Sequence, residues 1–289
     1  MTQGMKKPTV LARLGKLLLA AVIGCYLLIC VTMAIAQRSL LYFPRVYSST
    51  RVDQMAQAAD LQRWTNSQGE NIGFKRINRW KPPAEGSILI TYGNGSTAIG
   101  CAHFADDIQK VAPMDVYILE YPGYEDRPGP ATEKRIFAAA ADALQAIPTN
   151  EPVFLVGESL GSGVASYLAG TFPNRIAGIV LISPFTSVAA VGQSRYPFLP
   201  VSLLLVDQFP SQKFLRHYHG KVGITVDGQD RVVPERFGLR LYNTYSGSKK
   251  LWSFPNSTHC QIAETQTDFW QDAILFWETT TTSETETKP

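Results

Sequence analysis

The stretch Val153-Phe154-Leu155-Val156-Gly157-Glu158-Ser159-Leu160-Gly161 carries an apolar run directly into Gly-x-Ser-x-Gly. A serine on a sharp strand-to-helix turn needs residues without a Cβ two positions to either side, because its backbone takes a strained conformation there. The run before it is rich in β-formers. After it, Ser162-Gly163-Val164-Ala165-Ser166-Tyr167-Leu168 has the small residues and the period of a closely packed helix. The pentapeptide alone is common in loops; its flanks make it read as a nucleophile elbow, with the Ser159 hydroxyl projecting from the edge of a sheet.

Outward from the elbow, short apolar runs alternate with helical patterns from about Ile72 to Trp277 without a linker-like break, which predicts one layered domain. Strands are expected over 87–92, 116–119, 153–156, 176–182, 222–226 and 251–254. Helices are expected over about 97–111, up to Ile147, from the elbow to near Phe172, after Pro234, and over 261–277. The strands are apolar throughout rather than alternating, so both faces are buried. That pattern belongs to an α/β fold with a mostly parallel central sheet flanked by helices, whose ligands sit at the carboxyl ends of the strands.

The chain divides into a basic segment 1–16, an apolar segment 17–36, the layered domain 37–278 and a polar tail 279–289 expected to be disordered. Leu17 to Ala36 carries no charge and is long enough to cross a bilayer. Lys6, Lys7, Arg13 and Lys16 precede it, so the positive-inside rule expects a cytoplasmic terminus and a single-pass protein with its domain on the extracytoplasmic, periplasmic side. Two cleavable readings compete with an anchor: Ala34-Ile35-Ala36 has the form of a signal-peptidase site, and Val22-Ile23-Gly24-Cys25 that of a lipoprotein box. The apolar stretch continues well past Cys25, which ranks the lipoprotein last. Those four basic residues exceed the formal charge of +3, so no nucleic-acid surface is implied. Of the four cysteines, Cys101 and Cys260 lie in the domain; oxidation outside the cytoplasm would permit a disulfide, and two free buried thiols are the simpler expectation. No Cys–His spacing supports a metal.

Serine needs a base to remove its proton, and a histidine held in one tautomer by a carboxylate does this. His103 falls inside a predicted helix, and His217 and His219 lie in a polar connection. His259 follows the last strand in Phe254-Pro255-Asn256-Ser257-Thr258-His259, at a carboxyl end. The strand over 222–226 ends in Asp227-Gly228-Gln229-Asp230. Asp227 suits a turn-stabilising role, and Asp230, further into the loop, is favoured as the acid that reaches the imidazole. Ser159, Asp230, His259 is then the chain order of nucleophile, acid and base.

With these residues in place, the sequence resembles the α/β-hydrolases, and within them the membrane-anchored branch of protein depalmitoylases and lysophospholipid or monoacylglycerol lipases. The likeness runs from about Leu40 to Trp277. It rests on Leu41-Tyr42-Phe43-Pro44, Tyr92-Gly93-Asn94-Gly95, Tyr121-Pro122-Gly123-Tyr124, the elbow, Ser183-Pro184-Phe185-Thr186-Ser187 and Asp230-Arg231-Val232-Val233-Pro234. The resemblance implies Ser159 as nucleophile, Asp230 as acid and His259 as base. The branch usually has His where this chain has Tyr92, and Gly where it has Asp227; neither change removes a catalytic side chain.

The oxyanion hole is expected from the backbone amides of Asn94 and Leu160, with Gly95 as the alternative second donor. The segment Val188 to Gly220 is short for a lid, which predicts an open site with a small hydrophobic flap. Leu203, Leu204 and Leu205 either face the bilayer from that flap or pack a helix onto the sheet. The expected function is a serine hydrolase that cleaves an acyl ester or thioester through an acyl-enzyme, without cofactor or metal. Its partners would be a small-molecule acyl or lipid substrate and the bilayer. A peptidase or acyltransferase on the same three residues, and an inactive membrane-tethered binding module, are the alternatives.

Overall fold

The computed structural model describes residues 10–80, 83–261 and 267–279. A 32-residue helix, α1 (Val10–Leu41), leads the chain. It is long and apolar enough to cross a membrane, and almost none of it is covered by the rest of the protein. It extends past the apolar run through Gln37 and Arg38, because its last turns dock on the domain.

The domain is an eight-stranded sheet in the order β1-β2-β4-β3-β5-β6-β7-β8. Its strands are β1 (Gln62–Thr65), β2 (Asn71–Arg76), β3 (Gly86–Thr91), β4 (Met114–Leu119), β5 (Val153–Glu158), β6 (Ile176–Ile182), β7 (Lys221–Asp227) and β8 (Lys249–Phe254). From β4 through β8 every pairing is parallel, while β1 and β2 join antiparallel at one edge. The all-apolar runs are the central strands: every residue of β3, and β5 up to Gly157, is buried. The sequence pattern passes over helix α2 (Ser49–Ala58), β1 and β2. Helix α2 buries only Val52 and Ala56, one turn apart, and β1 buries one residue of four, so neither shows a strong apolar period.

Helices α3 (Ala102–Val111) and α10 (Thr267–Glu278) pack together, with Phe104 edge-on to Trp270. Helices α4 (Glu133–Ala146) and α5 (Leu160–Thr171) form a second layer with α8 (Ser211–Leu215), and α9 (Arg236–Thr244) packs on β7. The expected helix at 97–111 divides into a 3₁₀ turn at Ile99–Cys101 and α3. Of the helix expected at 261–277, residues 262–266 lie outside the described residues, as do 1–9 and 280–289.

Strand β3 has β4 on one side and β5 on the other, so the chain reverses its direction of travel across the sheet between β4 and β5. Such a switch opens a crevice at the carboxyl ends of the two strands beside it. Gly93 follows β3 and Ser159 follows β5. Over this edge, α6 (Val188–Arg195) and α7 (Val201–Leu204) form a small cap.

Candidate active site

Ser159 turns between β5 and α5 with φ 49° and ψ −116°. That conformation is costly for a residue with a Cβ, and it is held by packing on both sides. A Cβ at Gly161 would stand 2.1 Å from the Thr91 carbonyl oxygen, so α5 approaches β3 as closely as backbone allows. The Ser159 N–H donates to the Ile182 carbonyl at 2.9 Å, which ties the turn to β6.

Ser159 Oγ lies 2.9 Å from His259 Nε2, and His259 Nδ1 lies 2.6 Å from Asp230 Oδ2. With Nδ1–H facing the carboxylate, Nε2 is left as the acceptor for the serine proton. Asp230 is fixed from behind: its Oδ1 accepts the Val232 N–H at 2.7 Å and the Val233 N–H at 2.8 Å. Its side chain is almost wholly buried, whereas the imidazole stays one-fifth exposed and open to a substrate. The loops that carry Asp230 and His259 are joined by bonds from Gly228 N to Phe254 O and from Gln229 N to Ser257 O, each 3.0 Å. The structure thus brings together three residues separated by up to a hundred positions.

Asp227 does not reach the imidazole nitrogens. Its carboxylate accepts the Ser183 hydroxyl, whose oxygen in turn accepts the Cys260 N–H at 3.1 Å. This chain stitches the His259 loop to the ends of β6 and β7, and burial pushes the Asp227 carboxyl above its ordinary range. The other histidines stand apart: His217 and His219 are exposed, and His103 sits on α3 beside the Gly100 carbonyl. All four cysteines are free, and burial pushes the Cys101 and Cys260 thiols well up.

Of the expected oxyanion donors, Leu160 is the first residue of α5, where backbone N–H groups point out of the helix. Asn94 follows Gly93, whose missing Cβ lets the loop lie against Ser159: a Cβ there would meet the Ser159 Cβ at 3.3 Å. Three bonds clamp Asn94. Its side chain donates to the Leu41 carbonyl at 2.7 Å, and its carbonyl accepts the Tyr124 hydroxyl at 2.8 Å and the Phe43 N–H at 3.3 Å. None of these uses the Asn94 N–H.

Tyr92 points away from the crevice and is fully buried. Its hydroxyl donates to the Glu120 carboxylate, which also accepts the N–H groups of Tyr121 at 2.9 Å and Ala98 at 3.0 Å. Burial, followed by the neighbouring Glu125, pushes the Glu120 carboxyl well up. Tyr121 stacks on Tyr92 and donates its hydroxyl to the Tyr92 carbonyl at 2.8 Å. The Tyr92 side chain is therefore held in the core by Glu120 and Tyr121 and does not enter the crevice. Glu120, Tyr124 and Ser183 are the supporting residues that sequence reasoning missed. Tyr124 and Ser183 stood in the two segments whose part in the site no spacing rule could assign.

The chain matches the family model for the α/β hydrolase fold over residues 88–218. It is 30% identical over 231 residues to an uncharacterized protein of Mycobacterium tuberculosis, covering 77% of this chain and 80% of that one. The chain belongs to the α/β-hydrolases. A lysophosphatidylserine lipase of Bos taurus is 26% identical over 66% of this α/β-hydrolase and 52% of its own length. Among solved structures, an esterase of Pyrococcus furiosus superposes with a TM-score of 0.61 at 12% identity, over 82% of this chain and 95% of that one, a likeness of fold. The protein is an esterase- or lipase-like hydrolase, carried on an apolar helix that suits a membrane anchor.

Proposed function

We propose that the protein is a membrane-anchored serine hydrolase that cleaves acyl esters or thioesters, with Ser159 as nucleophile, His259 as base and Asp230 as the residue that orients it. The observation that carries this reading is the unbroken relay from Ser159 Oγ through His259 to Asp230, with contacts of 2.9 and 2.6 Å. His259 takes the serine proton as Oγ attacks the carbonyl carbon. The negative charge on the carbonyl oxygen falls to the Asn94 and Leu160 N–H groups. Collapse breaks the bond to the leaving oxygen or sulfur, to which His259 returns the proton. Water, activated by the same imidazole, then releases the acid from Ser159.

The basic residues ahead of α1 support a cytoplasmic amino terminus and an extracytoplasmic domain. The bovine lipase supports a lipid-like acyl substrate. Ser159→Ala tests the chemistry. Turnover of p-nitrophenyl esters and labelling by a fluorophosphonate are both expected to disappear, with a loss on the order of 10⁴ to 10⁶ in rate and an unchanged melting profile. Residual turnover within tenfold of the parent in a clean preparation would reject the assignment.

A further inference from the structure

We propose that the end of the anchor helix forms one wall of the acyl pocket, so that the acyl chain lies between α1 and the α6–α7 cap and enters from the hydrocarbon side of the membrane. This inference rests on the reading of Ser159 as nucleophile and adds a substrate-selecting role for α1.

A cavity of about 500 Å³ separates α1 from the cap, within the usual size of small-molecule sites. Met33 and Leu40 of the anchor line one side, and Val191, Leu199 and Leu204 of the cap line the other. Its inner end adjoins the site on two sides. Asn94 also lines the polar hollow that holds Ser159, while Val232 also lines the depression beside Asp230 and His259. A carbonyl placed at Ser159 would leave its acyl chain in this cavity and its polar leaving group in the hollow beside Arg45, Ser96 and Thr97.

The anchor is fitted to the cap along one stripe, Tyr26, Cys30, Met33, Gln37 and Leu41, at the three- and four-residue spacing of a helix face. Cys30 is buried, and Met33, Gln37 and Leu41 are half-buried along with Ala34 and Ala36, whereas the described part of α1 ahead of Cys30 is exposed. Gln37 both donates to the Leu204 carbonyl at 3.2 Å and accepts the Val206 N–H at 2.7 Å. Tyr26 donates its hydroxyl to the Phe198 carbonyl at 3.0 Å. These two attachments are about 16 Å apart along the helix axis, at roughly 1.5 Å per residue. The apolar run ends at Ala36, so the cap tip stands beside the part of the helix that crosses hydrocarbon.

The cap carries apolar side chains that suit that depth: Phe198 is 88% exposed and Leu203 84% exposed. Leu204 and Leu205 turn inward to line the cavity instead of packing on the sheet. An acyl chain already in the leaflet reaches such a pocket without crossing water.

The test uses the full-length protein in phosphatidylcholine vesicles with p-nitrophenyl butyrate and p-nitrophenyl myristate. Each methylene buried in an apolar site is worth roughly fourfold in affinity. Met33→Trp, which fills the cavity, is expected to lower the ratio of myristate to butyrate kcat/KM by about tenfold. Met33→Ala, which enlarges it, is expected to move the preferred ester towards longer chains. Val22→Trp, on the exposed face of α1, is expected to leave both activities unchanged. Fluorophosphonate labelling of Ser159 is followed in every variant. Parental chain-length profiles in both Met33 variants, with Ser159 still labelled, would overturn the pocket assignment alone. Should Met33→Trp fail to label, Met33→Ala decides by its opposite direction. Absence of Ser159 labelling in the parent would instead overturn the nucleophile, and the pocket with it.

Discussion

Replacing Asp230 by asparagine tests the site through a change of one atom. The two oxygens of Asp230 are not equivalent, since Oδ1 accepts the Val232 and Val233 N–H groups and Oδ2 faces His259 Nδ1. In Asp230→Asn the amide oxygen must stay with the two backbone donors, because turning it would set –NH₂ against both of them at 2.7 and 2.8 Å. The amide –NH₂ then faces Nδ1, which can accept it only when unprotonated. The imidazole proton moves to Nε2, and Nε2 donates to Ser159 Oγ where it formerly accepted. The base is lost although every heavy atom stays in place. Loss of the base by a tautomer change costs about 10⁴ in kcat, roughly 5.5 kcal/mol at 1.36 kcal/mol per decade. The assay is kcat for a p-nitrophenyl ester beside a melting curve. A folded Asp230→Asn protein with kcat within tenfold of the parent would refute the relay as described.

Gly161→Ala sets a Cβ 2.1 Å from the Thr91 carbonyl oxygen and 2.3 Å from its carbon, so β3 or α5 must shift; overpacking costs about 1–3 kcal/mol or more. Urea denaturation is expected to show a lower midpoint, and an unchanged midpoint would contradict the close approach. Burial pushes the Tyr124 hydroxyl up to about 12 from its ordinary 10.0. The folded state keeps this proton where the unfolded chain has lost it. The resulting stability is therefore complete below about pH 10 and lost as pH rises through about 12. Denaturation midpoints measured from about pH 9 to about pH 12 should fall over that window, and Tyr124→Phe should flatten the fall; an identical slope in the variant would exclude Tyr124 as a contributor.

Strands and helices with a strong apolar pattern were legible in advance. The buried strands β3 to β7 have no polar face to confuse their period, and the elbow glycines are demanded by local geometry. Segments whose burial is slight or one-sided were not legible. Helix α2 offers two buried side chains, and β1 acquires its partner only through the register of β2. The same limit applied to the supports of the site. Tyr124 donates to Asn94, 30 residues earlier, and Cys260 to Ser183, 77 residues earlier. A hydroxyl shows no period that could announce such a partner.

By itself, then, the sequence determined the layered class and the strained serine turn, because local sterics and apolar periodicity are written residue by residue, and it offered Ser159, Asp230 and His259 as candidates for one site. Tertiary structure decided which aspartate faces the imidazole, what Tyr92 bonds to, and that the end of α1 lines a cavity shared with Asn94. Those outcomes depend on distances between segments remote in the chain, and only the packed sheet and cap set such distances.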